Sequence, residues 1–150
     1  MGHKAMDAER LREQESNYSI VAFPAAKLPI RYQAFILAKW KRSLRSGNDY
    51  FKLIDPNSFY KAYDRYTQLL LARPDSIIRI AVLSDDPDVA LGWSLIEGDT
   101  LHYVFVQAEQ RNKGIAKNLV PVKINWFTHL THTGARIWSK HKEVKLDPFR

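Results

Sequence analysis

The run Arg111-Asn112-Lys113-Gly114-Ile115-Ala116 has the spacing R-x-x-G-x-A, and its natural chemistry is anion binding. It follows a predicted strand and opens a predicted helix. The first N–H groups of a helix have no intrahelical partners, and the helix dipole puts partial positive charge at that end. Gly114 lets an anion come close to the backbone, Ala116 is nearly as small, and Arg111 and Lys113 add full charges. A basic surface loop that only caps a helix has the same composition, so the surrounding elements must decide what the motif means.

Those elements can be read from periodicity and punctuation. Residues 1–17 are polar and charged with no hydrophobic face, and are expected to form a flexible polar tail ahead of one domain over residues 18–150. Residues 19–23 are a β-rich run stopped by Pro24. Ile30, Ala34, Leu37, Ala38 and Leu44 recur at helical spacing and predict a helix over residues 29–45, with Lys39, Lys41, Arg42 and Arg45 on its other face. Asp55 followed by Pro56 is a helix start. Phe59, Ala62, Tyr63, Tyr66, Leu69 and Leu70 continue it as one apolar stripe that ends before Pro74. Three strands are then expected at residues 76–83, 90–97 and 100–107. The turns Asp85-Asp86-Pro87-Asp88 and Glu97-Gly98-Asp99 separate them, and such short connections make antiparallel neighbours. A helix from Gly114 to about Val120, a strand over 123–130, a helix over 133–142 and a strand over 144–146 complete the order β-α-α-β-β-β-α-β-α-β.

Composition narrows the function classes. The chain of 150 residues is 45% hydrophobic and contains no cysteine, which excludes thiolate nucleophiles, zinc-thiolate sites and disulfide stapling. That, with no signal peptide and no apolar run near the ~20 residues of a membrane span, leads to the expectation of a cytoplasmic protein. No His/Asp/Glu spacing suggests a metal. The formal charge is +7, from 23 Lys+Arg against 16 Asp+Glu. Such a surface suits nucleic acid, an acidic protein or a polyanionic cofactor, and it equally suits plain solubility.

The stretch LHYVFVQAEQRNKGIAKNLV resembles the central strand, pyrophosphate loop and following helix of the GNAT superfamily of acyl-CoA N-acyltransferases. A valine stands five positions before the arginine, as in that superfamily. VALGWSLIEGD resembles the strand before it, where a glycine followed by an aromatic is common. The tail HLTHTGARIWSKHKEVKLDPFR is similar to small phage-encoded members. The resemblance implies a mixed, mostly antiparallel α/β sheet flanked by helices, whose central strand splays from the next. It implies acetyl-CoA, or another acyl-CoA, as cofactor. The pantetheine arm would add to the backbone of Val104 and Val106, with the Val106 N–H near the thioester oxygen. Arg111 and the backbone of Asn112, Lys113, Gly114, Ile115 and Ala116 would hold the pyrophosphate, with Lys117 within reach or simply solvated.

The chain also departs from that pattern. Many acetyltransferases carry a tyrosine on the helix after the fifth strand to protonate the leaving thiolate, but the last tyrosine here is Tyr103. Ser139, His132 and His141 occupy the corresponding region. The acceptor amine needs a base, and histidine titrates near neutral pH without perturbation. His102 lies on the central strand and His129 on the strand expected to splay from it. Each is equally readable as an ordinary half-buried histidine. Glu97, Asp99 and Glu109 read as solvated, with the alternative that one of them handles the acceptor. The implied function is acetyl transfer to a primary amine by direct attack in a ternary complex, the acceptor being a small molecule or a protein. The alternative is a GNAT-fold interaction protein that binds a host protein or nucleic acid through its basic helix face. Nucleobase modification is a third and smaller option.

Overall fold

Period-two apolar runs with few breakers occupy the middle of the chain, and they become the center of one sheet. The computed structural model describes residues 17–129 and 143–150. Strand β1 is Tyr18–Pro24 and is followed by a 3-10 turn at Ala25–Lys27. Helices α1 (Ile30–Ser46), α2 (Asp49–Lys52) and α3 (Pro56–Ala72) come next. Strands β2 (Ser76–Leu83), β3 (Ala90–Glu97) and β4 (Thr100–Val106) follow, then a 3-10 turn at Ala108–Gln110 and helix α4 (Ile115–Leu119). The short strands β5 (Trp126–Phe127) and β6 (Lys145–Leu146) close the order. The sheet runs β1-β2-β3-β4-β5-β6. Pairs β1–β2, β2–β3 and β3–β4 are antiparallel; β4–β5 and β5–β6 are parallel.

Three strands match their expected bounds to within a residue. The helix α3 start also forms as read, with the Asp55 carboxylate accepting from the Ser58 N–H at 3.0 Å and Pro56 in the first turn. Other expectations need correction. The buried stripe of α1 is Tyr32, Ile36, Trp40 and Leu44, whereas Ile30 is 84% exposed. Aromatic residues decide that face: Trp40 stacks on Tyr103 and the Tyr32 hydroxyl donates to the Pro87 carbonyl at 2.7 Å. On α3 the buried side is Phe59, Thr67 and Leu70, while Leu69 is 61% exposed. Helix α2 was not anticipated, being too short for a periodic signal. Asn48 caps it by accepting from the Phe51 N–H.

The strand expected over 123–130 shrinks to Trp126–Phe127, because only Thr100 and Leu101 of β4 lie close enough to pair with it. Residues 1–16, the helix expected over 133–142, and His3, His132, Ser139 and His141 lie outside the described residues. Asn17 is already tied to the body of the sheet: its carbonyl accepts from the Ser84 N–H and its amide donates to Asp85.

Helices α1 and α3 cover one face of the sheet. There Tyr32, Ile36, Trp40, Phe59 and Leu70 pack on Ile78, Ile80, Trp93, Leu95 and Tyr103. The short α4 covers the other face through Ile115 and Leu119, against Ala81, Leu91 and Val106. Gly92 sits where β3 and β4 press together, and a Cβ there would collide with the Phe105 carbonyl oxygen. Gly92→Ala should therefore destabilise the fold by about 1–3 kcal/mol, the usual scale of overpacking. Urea denaturation measures the loss, and an unchanged midpoint would mean that β4 can yield freely at this point.

Candidate active site

Strand β4 carries one residue more than its partner requires. Its register with β3 steps from Leu95↔Tyr103 to Ile96↔Leu101, which leaves His102 unmatched as a β-bulge. A bulge bends the strand and re-aims the side chain it carries. On the other side of β4, pairing with β5 ends at Leu101↔Phe127, and the Thr128 N–H reaches the Leu101 carbonyl at 3.3 Å. Beyond that point no described strand pairs with this edge of β4.

The free edge exposes identifiable backbone groups. The Gln107 N–H donates to the Leu91 carbonyl at 2.9 Å. Ladder bonds alternate along an antiparallel strand, so Phe105 and Tyr103 also face β3, while the N–H groups of Val104 and Val106 face the gap. The Val106 carbonyl on that edge is already engaged, accepting from Arg111 Nε at 3.1 Å. Arg111 thus ties the loop back onto the strand end.

The loop itself is exposed at Arg111, Asn112, Lys113 and Gly114, while Ile115 is buried. Asn112 (φ 64°) and Gly114 (φ 79°) both adopt left-handed backbone, and nothing lies within 4 Å of where a Gly114 Cβ would be. Such alternation turns successive N–H groups toward one side and makes a concavity suited to an anion. Helix α4 contributes less than expected, since it has only five residues. Its end is fixed to β3 by the Ser94 hydroxyl, which donates to the Leu119 carbonyl at 2.6 Å.

A polar cluster occupies the point where β4 and β5 separate. The His102 side chain is fully buried. Its Nε2 lies 3.0 Å from Glu97 Oε1 and its Nδ1 lies 3.1 Å from Thr128 Oγ1. Thr128 Oγ1 is also 2.9 Å from His129 Nδ1. The His129 ring packs against Tyr63 and Tyr66 of α3, and Tyr66 also hydrogen-bonds Thr128. Arg73 donates to Glu97 at 2.9 Å and to the Arg150 carbonyl at 2.7 Å. Glu97 is therefore no solvated turn residue. Its side chain is 27% exposed and shared between His102 and Arg73. The sequence singles out Glu97 only as a solvated residue or a handle for the acceptor, and it carries no signal for Thr128. Asp99 bonds Asn125 and faces Arg150, and Glu109 lies apart on the 3-10 turn.

Burial sets the protonation of these groups. It pushes the Glu97 carboxyl up, but hydrogen bonds from His102 and Arg73 and the Arg73 charge outweigh it and hold the group ionised. Burial lowers His102 below its ordinary value, and Glu97 only partly opposes this. Burial lowers His129 to about 4, helped by the neighbouring His102. Tyr103 is pushed up to about 12 by burial, and its hydroxyl is 2.6 Å from that of Ser43. It is thus a phenol locked in the core.

The basic face of α1 is partly consumed inside the fold. Lys41 pairs with Asp64 at 2.9 Å, and Arg45 donates to the carbonyls of Lys52 and Ile54. Among the described residues no His/Asp/Glu group could hold a metal, and no helix is long and apolar enough to cross a membrane.

No protein-family model and no curated protein sequence matches the chain. Solved structures do. An acetyl transferase from Pyrococcus furiosus is 16% identical with a TM-score of 0.53, over 87% of this chain and 80% of that one. The fold is that of the GNAT acetyltransferases. An acetyltransferase from Bacillus subtilis (14% identity, TM-score 0.49, 86% of this chain and 80% of that one) is also similar. So is a ribosomal-protein-alanine N-acetyltransferase from Brucella melitensis (18%, 0.43, 86% and 76%).

The buried histidines make stability pH-dependent. His129 titrates near 6.5 when unfolded and at about 4 when folded. Between those values the unfolded chain binds a proton that the folded chain refuses. The contribution is complete above pH 6.5 and is lost as pH falls toward 4, at up to about 1.4 kcal/mol per unit. Denaturation midpoints measured from pH 7.5 to 4.5 should show the decline, and His129→Gln should flatten it. An identical slope in that variant would mean His129 is solvated and titrates normally.

Proposed function

We propose that this protein is an N-acetyltransferase that moves the acetyl group of acetyl-CoA to a primary amine within a ternary complex. The observation that carries the reading is the unpaired edge of β4 beside an exposed, left-handed loop, in this fold. An extended amide-bearing arm can add to such an edge as another strand would. The Val104 and Val106 N–H groups are the donors offered to it. The N–H groups of Asn112, Lys113, Gly114, Ile115 and Ala116, with the Arg111 side chain, are the matching partners for a pyrophosphate.

In this reading the amine nitrogen attacks the thioester carbonyl and the C–S bond breaks as the thiolate leaves. The Val106 N–H lies where the oxyanion of the tetrahedral intermediate would form, so its hydrogen bond strengthens as charge develops. His102 and His129 flank the separation of β4 and β5 and are the groups available to take the amine's proton. Both are neutral at pH 7, as a base must be. With no cysteine in the chain, a thiol-bound acyl intermediate is closed, which favours direct attack.

Acetyl-CoA should stabilise the protein in a thermal shift assay, by about 2.7 kcal/mol at a hundredfold excess over Kd. Arg111→Ala should weaken binding by about 1–3 kcal/mol, the scale of hydrogen bonds to charged groups. Gly114→Glu should abolish it, because it places a carboxylate where the phosphates would lie. Calorimetry showing wild-type affinity in folded Gly114→Glu protein would remove the loop from the site. Mass spectrometry of amines incubated with labelled acetyl-CoA then identifies the acceptor. Tight binding with no labelled product would leave a binding protein in place of an enzyme.

A further inference from the structure

Four side chains at the β4–β5 separation are hydrogen-bonded in series: His129 to Thr128 at 2.9 Å, Thr128 to His102 at 3.1 Å, and His102 to Glu97 at 3.0 Å. They come from β3, β4 and the stretch after β5, and only the topology brings them together. The direction of each bond follows from the ends. The Glu97 carboxylate also takes a bond from Arg73, so it can only accept, and His102 Nε2 must carry a proton. The His102 Nδ1 is then a lone pair and accepts from the Thr128 hydroxyl. The hydroxyl's single hydrogen goes to His102 Nδ1 at 3.1 Å in preference to the His102 carbonyl at 3.4 Å, so Thr128 Oγ1 accepts from His129 Nδ1–H. The His102 carbonyl also lies within hydrogen-bonding reach of the His129 ring, and with the Nδ1 proton donated inward His129 Nε2 is left as the lone pair. Every donor in the chain points the same way.

We propose that His129, Thr128, His102 and Glu97 act as one proton wire, entered at His129 Nε2 and ending at Glu97, that serves both the acceptor amine and the departing thiolate. The inference rests on the acetyl-transfer reading for its substrates, though not for its hydrogen bonds. As the substrate ammonium gives its proton to His129 Nε2, its N–H bonding pair stays on nitrogen as the attacking lone pair. His129 passes its Nδ1 proton to Thr128, whose own proton moves to His102 Nδ1. The charge comes to rest as an imidazolium against the Glu97 carboxylate. His129 then presents Nε2–H toward the reaction site. When the C–S bond breaks, that proton goes to the thiolate, and the wire runs backwards to its starting state. The amine's second proton leaves to water, so one proton is released per turnover.

This arrangement accounts for two otherwise awkward facts. Burial lowers His129 to about 4, yet it does not have to hold the proton, because the charge passes to His102, where Glu97 partly offsets burial. The tyrosine expected to protonate the thiolate is also unnecessary, since one device provides both legs. The charged and titratable neighbours fit the assignment. Tyr63 and Tyr66 of α3 face His129 as neutral phenols, and Arg73 keeps the Glu97 carboxylate ionised. The Arg73 and Arg150 charges disfavour a lasting imidazolium at His102, so the proton held there is readily returned to the thiolate. Thr128 touches no reacting atom and is a positioning residue.

Nitrogen-15 NMR of the ring nitrogens at pH 7.5 tests the wire without any substrate. His129 should be protonated on Nδ1, the less common tautomer, and His102 on Nε2. Thr128→Val should return His129 to the Nε2–H form, while Thr128→Ser should preserve the wild-type pattern. With an amine acceptor, Thr128→Val should lower kcat/KM about 100-fold with acetyl-CoA affinity unchanged, the lower end of general acid–base effects. Thr128→Ser should stay within a few-fold. The wild-type rate should also depend on the deuterium fraction of the solvent with curvature, which becomes linear in Thr128→Val. A wild-type His129 protonated on Nε2, or a Thr128→Val enzyme at the wild-type rate, overturns the wire. If no amine is acetylated by the wild type, the acetyl-transfer reading falls, and the tautomers still decide whether the wire exists.

Discussion

The site depends on a mismatch of one residue between two strands. Strand β3 passes from Leu95 to Ile96 while β4 passes from Tyr103 to Leu101, and the surplus residue is His102. A strand without a bulge is free to continue its outer edge alongside β5 in one parallel ladder. Instead the pairing stops after Leu101, and the Val104 and Val106 amides face a gap. An open edge in the middle of a sheet is costly and prone to pairing with other chains. The surrounding packing tolerates it because both faces of β4 are held independently. Tyr103 is clamped between Trp40 and Ser43 on one side, and Val106 sits under Ile115 and Leu119 on the other.

The same bulge creates an electrostatic problem that the sheet must solve. It places an imidazole in the interior, where an unpaired polar group costs several kcal/mol. The answer is a closed set of partners drawn from distant parts of the chain. Glu97 comes from the end of β3, Thr128 from beyond β5, and Arg73 from the end of α3. Arg150 extends the set outward: its guanidinium lies over the Trp126 ring at 4.4 Å and donates to Thr100. The short β5 has few ladder bonds of its own. Backbone bonds to Asp99 and Leu101 on one side and from Lys145 and Asp147 on the other hold it, and the Thr128 hydroxyl ties the stretch after it to His102.

Much of the scaffold was legible because it obeys local rules. Asp55 with Pro56 starts α3, and alternation marks β2, β3 and β4 nearly to the residue. Gly114 is where a left-handed turn demands glycine. The loop motif was legible for the same reason, since backbone geometry and charge are written in adjacent residues. The α1 face was misread because alanines and an exposed isoleucine mimic a stripe, while Tyr32 and Trp40 bury more area than any of them. The strand after Pro121 was overextended because aromatic and β-branched residues favour pairing only where a partner edge exists. The bulge could not be seen at all, for a register is a property of two strands. Thr128 carries no signal and Glu97 reads as solvated on the same grounds: each is an ordinary residue until a non-local contact gives it a role.

The surplus positive charge also finds a physical place. Lys41 and Arg45 of α1 are bound to Asp64 and to the α2–α3 connection, so that part of the helix face is a structural seam between helices, while Arg42 stays exposed. Arg111, Lys113 and Lys117 are different, because they flank backbone N–H groups that no described residue satisfies and they stand exposed around Gly114. Helix α4, at five residues, has too small a dipole to hold a polyanion by itself. The left-handed residues Asn112 and Gly114 compensate by aiming several N–H groups together, and the side-chain cations supply the long-range attraction. An anion held there lies against the end of β4, one strand length from the histidines. The bulge, the open edge and the loop therefore follow one another along β4.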